Sequence, residues 1–312
     1  MQTRAALLCA VAAALGAVQS SPAAGLGDAI ARLTRGSTWQ LVRRIPLAFR
    51  TYHPQGMVKI GDTFYVSSVE VTVPTKRFPA ARGGFDRDQG EGTGHLFKVS
   101  ATGQLAADLK LGEGAVYHPG GIDYDGRDIW VAVAEYRPDS RSIVYRVSPE
   151  TMGATEVFRW PDHLGAVVHD AHAGELHGVS WGSRRFYRWR TDRNRRVLDA
   201  GERPERVRTL NSSHYIDYQD CKYAGQRLML CTGVGELRPP GATQPFRLGG
   251  LDLIDLRTHR PIHQVPIPLW TTSGLDMTHN PSWFELTPTG IRGYFMPEDD
   301  SSAIYVYEAA LD

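Results

Sequence analysis

Five histidines recur at the same position of a repeated sequence unit, and their imidazoles could hold a metal ion. Each opens a unit that continues with a short β-rich run, a turn and a second β-rich run. Neutral imidazole is the commonest side-chain ligand for zinc, iron, copper and nickel. Packing alone explains one such histidine more easily than five. The five are His53, His118, His163, His214 and His279.

Glutamates near the ends of the second runs are expected beside these histidines. Residues that face each other across an antiparallel hairpin have Cβ atoms about 4.5–5.5 Å apart. A metal-bound histidine usually donates its other N–H to a carboxylate, which fixes the tautomer and the orientation of the ring. Counting about each turn therefore predicts four pairs: Glu70 with His53, Glu135 with His118, Glu298 with His279 and, through a diagonal or bulged register, Glu236 with His214.

The third unit departs from this pattern, because Ser180 takes the place opposite His163. A glutamate that is free of its histidine could instead move a proton during a reaction. The catalytic candidates are Glu70, Glu135 and Glu298.

The histidine ring predicts one divalent transition metal, which would be zinc, iron or manganese. Five imidazoles exceed what one tetrahedral ion requires, so three or four would bind and leave a position for water or substrate. Two alternatives stay open. The ring could be a metal-free polar closure of a channel, or an anion site made of protonated histidines.

Other polar residues suggest weaker roles. Arg137 and Arg184, with the adjacent Arg185, follow second runs and could hold a substrate carboxylate or form a solvated rim. His169 and His172 lie in a predicted turn and are expected at the surface. The long connections 71–94 and 237–249 are expected to shade the ring. The sequence has no phosphate-loop motif, and we expect no serine-hydrolase nucleophile elbow from the Gly-x-Ser fragments around Trp181-Gly182-Ser183.

The repeats that carry the histidines predict the fold. A third β-rich run of alternating polarity follows in every unit, and a fourth follows in four units. The last unit reaches the end of the chain without its fourth run, and residues 39–47 could supply it. We predict a single-domain, five-bladed β-propeller over residues 38–312, closed by this N-terminal strand, with six blades as the alternative. The first strand of each blade then brings its histidine to one mouth of the channel.

The N-terminus predicts export. A basic start and the apolar run 7–18 precede small residues, which is typical of a signal peptide over 1–20 with cleavage between residues 20 and 24. Residues 21–37 form a short segment before the propeller. Cys221 and Cys231 face each other across a predicted hairpin, so a disulfide is expected in a secreted or periplasmic protein. Asn211 begins a glycosylation sequon, which matters only in a eukaryotic secretory host.

Composition narrows the partners. The chain has 312 residues, of which 42% are hydrophobic and 22% charged, and its formal net charge is +1. This balance disfavours nucleic acid and anionic membranes, since both attract a basic surface. Beyond the N-terminal run, no segment is long and apolar enough to span a bilayer. We expect a monomer that binds a small molecule.

Three segments resemble known proteins. Residues 118–126, 129–138 and 181–189 are similar to an uncharacterised family of exported propeller-like proteins from bacteria and fungi, and the similarity extends over most of the mature chain. That family supplies no reaction. More distantly, a histidine ring backed by glutamates is similar in plan to the carotenoid oxygenases, which are propellers with iron on four histidines.

The sequence therefore predicts a metal-dependent enzyme that acts on a small organic substrate. Hydrolysis of an ester or lactone, or a lyase step, would use a metal-activated water or a polarised carbonyl. A non-haem iron oxygenase or isomerase is the first alternative. A propeller that binds glycans or other ligands without chemistry is the second.

Overall fold

The structure is a computed structural model that describes residues 25–311, and it is built almost entirely of β-strands. The predicted signal peptide and its cleavage region lie outside these residues. The helical elements of the described range are short: α1 (Leu26–Ile30), a 3₁₀ turn (Trp181–Ser183) and α2 (Pro204–Val207). No helix within residues 25–311 is long and apolar enough to cross a membrane.

Twenty-two strands follow one another within residues 25–311. The first eleven are β1 (Trp39–Pro46), β2 (His53–Ile60), β3 (Thr63–Val73), β4 (Arg77–Arg82), β5 (Phe85–Arg87), β6 (Glu91–Val99), β7 (Leu105–Leu111), β8 (Val116–Tyr124), β9 (Ile129–Glu135), β10 (Ser142–Val147) and β11 (Ala154–Trp160). The remaining eleven are β12 (Leu164–Asp170), β13 (Glu175–Ser180), β14 (Arg185–Arg190), β15 (Arg208–Leu210), β16 (Asp217–Gly225), β17 (Leu228–Leu237), β18 (Phe246–Asp255), β19 (Arg260–Pro266), β20 (Ser282–Thr287), β21 (Gly290–Phe295) and β22 (Ala303–Ala310).

The strands pair in antiparallel four-stranded runs, as in a propeller. Three sheets have the orders β2-β3-β6-β7, β16-β17-β18-β19 and β1-β22-β21-β20. An eight-stranded sheet joins two such runs, β8 to β11 and β12 to β15, through a single parallel bridge between Ala166 and Gly121. A two-stranded hairpin, β4-β5, completes the set. The all-β prediction is confirmed, and the strand pairing is propeller-like.

The predicted N-terminal closure is confirmed. Strand β1 pairs with β22 in a ladder that runs from Trp39 opposite Ala309 to Pro46 opposite Ala303. Helix α1 precedes it and anchors the segment, because Ile30 and Leu33 are fully buried in the apolar cluster beside this sheet. Both ends of the described chain therefore belong to one side of the ring.

The innermost strands approach one another very closely at glycines. A methyl group on Gly56 would lie 2.5 Å from the backbone nitrogen of Ile122, and one on Gly120 would lie 2.1 Å from the carbonyl oxygen of Gly165. Neither distance is compatible with a side chain. The glycines that follow His53 and His118 in the repeats therefore allow β2, β8 and β12 to meet near the axis.

A buried ion pair ties these strands together. Asp220 on β16 is 1% exposed and accepts hydrogen bonds from the backbone N–H groups of Met57 (2.9 Å) and Ile122 (3.2 Å). Lys222, two residues further on, donates to the same carboxylate and to the carbonyl oxygen of Ile122 (2.6 Å). Asp123 lies close by and accepts from the N–H of Tyr223. One carboxylate and one ammonium group thus link β16 to β2 and β8.

The predicted disulfide is present. Cys221 and Cys231 are directly opposite in the β16–β17 ladder, with Cα atoms 4.1 Å apart, and they are bonded. The sequon residue Asn211 has a different environment from the one a glycan needs. It is buried, and its Nδ2 donates to the carbonyl oxygen of Ser183 at 2.8 Å. In the folded protein Asn211 is therefore not accessible for glycosylation.

We predict that Gly56→Ala destabilises the protein by about 3 kcal/mol, because the added methyl group meets backbone atoms that cannot move without parting two inner strands. Gly201→Ala is the matched control, since no atom lies within 4 Å of its added methyl group. Urea denaturation of both variants checks the prediction. Equal urea midpoints of the two variants would show that the inner strands can accommodate a methyl group at residue 56.

We also predict that Lys222→Met lowers the free energy of unfolding by about 3–5 kcal/mol, because it leaves the buried Asp220 carboxylate without its counter-charge. Adding Asp220→Asn to that variant should recover part of the loss, as the uncompensated charge is then gone. Lys76→Met, at an exposed lysine, should change stability by less than about 0.5 kcal/mol. A double variant no more stable than Lys222→Met would contradict the ion-pair interpretation.

Candidate functional site

A pocket of about 240 Å³ opens at the histidine end of the inner strands. Three of the five predicted ring histidines line it, together with aromatic side chains and one carboxylate. The residues that define its chemistry are His53, His118, His163, Tyr136, Trp181 and Asp217. We call this cavity the histidine pocket.

The inner strands also form the floor of the histidine pocket. Gln55, Gly165 and Gln219 line it. Each directly precedes a residue at the tight axis described above: Gly56, Ala166 and Asp220. The pocket therefore ends where the inner strands meet.

His53 is held by a carboxylate. Its Nδ1 lies 2.9 Å from Oδ1 of Asp299, and the same oxygen accepts a hydrogen bond from Nδ2 of the buried Asn280, also at 2.9 Å. Burial alone would raise the pKa of Asp299, but the hydrogen bonds from His53 and Asn280 lower it below its ordinary value. Because the carboxylate accepts the Nδ1 proton, Nε2 of a neutral His53 carries a lone pair.

His163 is fixed in the same tautomer by the backbone. Its Nδ1 donates to the carbonyl oxygen of Glu135 at 2.8 Å, and a carbonyl can only accept. Burial lowers the pKa of His163 to about 4, so the ring is neutral at physiological pH. The Nε2 lone pair is consequently available for a ligand. The edge of the ring packs against Trp181, with ring centres 4.7 Å apart.

His118 lies between the other two and is almost fully buried. Its ring stacks on Tyr136 at 4.1 Å and lies 5.6 Å from the ring of His163. No residue of the described chain bonds to its Nδ1. Burial and, next, the neighbouring His163 and His53 hold the pKa of His118 well below its usual value of 6.5. Burial thus favours the uncharged form of both His118 and His163.

The connection 71–94 contacts one of the pocket residues. It folds into the β4–β5 hairpin, whose Arg87 lies over the ring of Trp181 at 5.1 Å. Phe85 of the same hairpin packs against the guanidinium of Arg137 at 3.6 Å. The hairpin itself does not line the histidine pocket.

The predicted glutamate partners are wrong for His53 and His118, although the turn centres are right. Bulges in β2 and β8 shift the register by one residue between the turn and each histidine, so His53 faces Val69 and His118 faces Ala134. A shift of one residue moves a side chain to the other face of the strand. Glu70 therefore lies 3.7 Å from His95 instead.

The other three glutamates are also engaged away from the histidines. Glu135 binds Arg137 and Arg141, each at 2.7 Å. Glu298 accepts from the Tyr305 hydroxyl, and Glu236 pairs with Arg238 and Arg247. The Ser180 prediction misses by one residue, because Ser180 pairs with Leu164.

Two predicted ring histidines lie outside the pocket. Strand β16 begins only at Asp217, and β20 begins only at Ser282, so His214 and His279 precede their strands. His214 is exposed and accepts a hydrogen bond at Nδ1 from Arg184 (2.7 Å). His279 has its Nδ1 3.9 Å from Asp276. The ring symmetry inferred from the repeats is therefore incomplete.

The arginine candidates already have partners. Arg137 is held by Glu135, while Arg184 binds Asp217 at 3.1 Å and so lies at the pocket rim. Arg185 binds Asp139 and Asp162.

The two turn histidines differ in exposure. His172 is exposed, as predicted. His169 is buried, because its Nδ1 bonds Asp125 at 2.7 Å, so the prediction of a surface position is wrong for it.

The sequence reasoning missed Asp299, Asn280, Tyr136 and Trp181. Asp299 directly follows Glu298, the residue that the hairpin register predicts beside His279. Tyr136 and Trp181 each directly follow the residue predicted to face a histidine, Glu135 and Ser180, so the same one-residue shift would have found them.

The imidazole nitrogens of the pocket are suitable ligands for a transition metal, but the side chains do not lie close enough together to bind one ion as they stand. His53 and His163 each donate through Nδ1, which is the usual arrangement of a metal-bound histidine. Within residues 25–311, however, no three His, Cys, Asp or Glu side chains are placed closely enough to hold an ion.

The strand pairing and the pocket define the class: an all-β protein of propeller-like architecture with a polar pocket at one end of its axis. The chain belongs to the family of unknown function DUF6454, whose family model matches residues 8–312. This agrees with the resemblance to an uncharacterised family. No curated protein matches the chain.

Solved structures of other proteins show distant likeness. Hydrazine synthase of Kuenenia stuttgartiensis matches with a TM-score of 0.38 and 11% identity, covering 81% of this chain and 58% of that one. A luciferin-regenerating enzyme matches at 0.49 and 9%, covering 88% and 95%. The WD40 domain of Toxoplasma gondii coronin matches at 0.40 and 10%, covering 90% and 88%. The chain thus spans little more than half of the first of these proteins, and the fold rests on the strand pairing.

We predict that His163 is neutral, with its proton on Nδ1, at pH 5.5, where a free imidazole with a pKa of about 6.5 is mostly protonated. Long-range ¹H–¹⁵N correlation spectra of the chelator-treated protein measure this directly. The His163→Gln variant assigns the signal by its loss. An imidazolium signal from His163 at pH 5.5 would show that the site is wetter and less buried than the structure has it.

Proposed function

We propose that this protein is an exported, five-bladed β-propeller whose histidine pocket is the active site of a metal-dependent enzyme. The observation that carries the proposal is the fixed tautomer of two imidazoles. Nδ1–H of His53 donates a hydrogen bond to Asp299, and Nδ1–H of His163 donates one to the Glu135 carbonyl group. In the neutral form of both rings, Nε2 therefore carries a lone pair beside the same cavity. Five four-stranded runs and a disulfide support the blade count and the export.

His53, His118 and His163 would hold the ion, and a small closing movement of the three rings would complete the set. His118 suits this role because its ring is uncharged and its Nδ1 lacks a partner among the described residues. Zinc, iron or manganese bound there would lower the pKa of a water molecule or polarise a substrate carbonyl. His214 and His279 take no part in the proposed set.

Asp217 replaces the glutamates as the proposed proton carrier. It is the carboxylate among the residues that line the pocket, and its bond to Arg184 holds it at the rim. The predicted catalytic glutamates are bound elsewhere, so Glu70, Glu135 and Glu298 are not retained in that role. A carboxylate within reach of a substrate can accept or return a proton during hydrolysis or elimination.

The size and lining of the pocket limit the substrate. About 240 Å³ admits a small organic molecule, and Tyr136 and Trp181 offer flat apolar surfaces beside the imidazoles. Hydrolysis of an ester or lactone, or a lyase step, suits this combination of a metal, a carboxylate and an aromatic wall. The enzyme would work as a monomer.

A ligand-binding propeller without chemistry is the second candidate. It is favoured by the lack, within residues 25–311, of three side chains already placed for a metal. Aromatic rings beside neutral polar groups are also typical of pockets that bind uncharged ligands. Such a protein would bind its ligand, for example a glycan, equally well after chelation.

We predict that the histidine pocket of the purified protein binds about one equivalent of zinc, iron or manganese, and that His118→Ala and His163→Gln each lower the occupancy of this pocket at least tenfold. The reason is that each removes one of only three proposed ligands. His214→Ala is the matched control, since that histidine has the same repeat position but lies outside the pocket. Elemental analysis after dialysis provides the measurement.

Full occupancy in a His118→Ala, His163→Gln double variant would exclude the histidine pocket as the metal site. A wild-type protein without metal, and without metal uptake from millimolar solutions, would leave the ligand-binding candidate. Glycan or small-molecule binding that persists in chelator would then support it.

A further inference from the structure

A second unusual carboxylate lies outside the histidine pocket. Asp276, in the loop between β19 and β20, is 0% exposed. Neither of its side-chain oxygens has a hydrogen-bond partner in the described part of the chain. A carboxylate removed from water without hydrogen bonds or a counter-charge is among the costliest arrangements in a folded protein. Within residues 25–311, this buried carboxylate therefore lacks a hydrogen-bond partner.

The surroundings of Asp276 form a small cradle over β18. Oδ1 of Asp276 and Oγ1 of Thr278 lie 3.2 Å and 2.4 Å from the point that a methyl group on Gly249 would occupy. Both oxygens therefore border the space left by that glycine. Nδ1 of His279 lies 3.9 Å from Oδ2 of Asp276 on the other side. The hydroxyl of Thr278 and one imidazole nitrogen of His279 thus lie beside the buried carboxylate.

The nearby positive charge is committed elsewhere. Arg247 is the cationic side chain whose field reaches Asp276, but it is exposed and donates to Glu236 at 3.1 Å. His279 faces Asp276 beyond hydrogen-bond distance, and burial lowers its pKa, so a neutral ring is favoured there. Neither group neutralises the carboxylate.

We propose that Asp276 is the principal ligand of a divalent cation, with the imidazole of His279 and the hydroxyl of Thr278 beside it. The separation of 3.9 Å between the carboxylate oxygen and the imidazole nitrogen is small enough for one ion to bond both groups after a small movement of either side chain. A carboxylate with a hydroxyl and water favours calcium or manganese, whereas the imidazole favours manganese over calcium. Manganese is therefore the expected occupant.

This cation site is separate from the proposed active site. Asp276, Thr278 and His279 do not line the histidine pocket. The loop that carries Asp276 leads directly to Asn280, which holds Asp299 and through it His53. A cation at Asp276 would fix this loop and so the position of Asn280, whether or not the pocket binds a metal.

The experiment uses the His118→Ala, His163→Gln double variant, so that the histidine pocket contributes no response. After chelation and dialysis at pH 7.5, manganese chloride and calcium chloride are added separately, and the thermal midpoint is recorded. Saturating manganese should raise it by on the order of 5 °C, and calcium by less. Terbium luminescence provides a second readout, because the backbone of Trp270 pairs with that of Asp276.

Adding Asp276→Asn should abolish both responses, and adding His279→Gln should reduce the manganese response more than the calcium response. Asp62→Asn, at an exposed turn, is the matched control and should leave both unchanged. The proposal is overturned if neither cation changes the thermal midpoint. It is also overturned if both cations change the midpoint equally with and without Asp276→Asn. In the first case the carboxylate is neutralised by a proton. If Asp276→Asn does not fold, the His279→Gln comparison decides alone.

Discussion

The narrow axis of the molecule is the constraint on which the rest of the structure depends. Inner strands of different four-stranded runs approach so closely that Gly56 and Gly120 leave no room for a side chain. Asp220 accepts hydrogen bonds from two backbone N–H groups of these strands, and Lys222 balances its charge. The residues that precede Gly56, Ala166 and Asp220 line the histidine pocket. The packing of the axis therefore positions the floor of the pocket.

The same tightness explains what the repeats could and could not predict. The recurring runs were sufficient for the all-β fold, the missing fourth run of the last unit for the closing strand β1, and the turn centre for the Cys221–Cys231 pair. The histidine partners depend on an exact register. Bulges at Gln55 and at Gly120 shift that register by one residue, and the pattern of the repeats does not reveal them.

The site shows how a symmetric pattern produces an asymmetric centre. The glycines after His53 and His118 are needed for close approach of the strands, so part of the repeated motif serves the axis. The histidines that precede these glycines, and those at the same position of the other repeats, have different partners. His53 acquires Asp299, His163 acquires a backbone carbonyl group, and His214 stays exposed. A repeat therefore identifies the residues that can lie together at one end of the axis. The loops beyond the strands determine which of these residues reach the pocket.

The pairing of β1 with β22 has a mechanical consequence. The strands are antiparallel, and Trp39, near the start of the described chain, lies opposite Ala309, near its end. A force that pulls the two ends apart would load this ladder one hydrogen bond at a time, like a zipper, instead of shearing all of its bonds together. The ring is therefore expected to open at low tension from its ends, even though its inner strands are locked. The same contact joins residues at opposite ends of the chain, so its formation is expected to be slow.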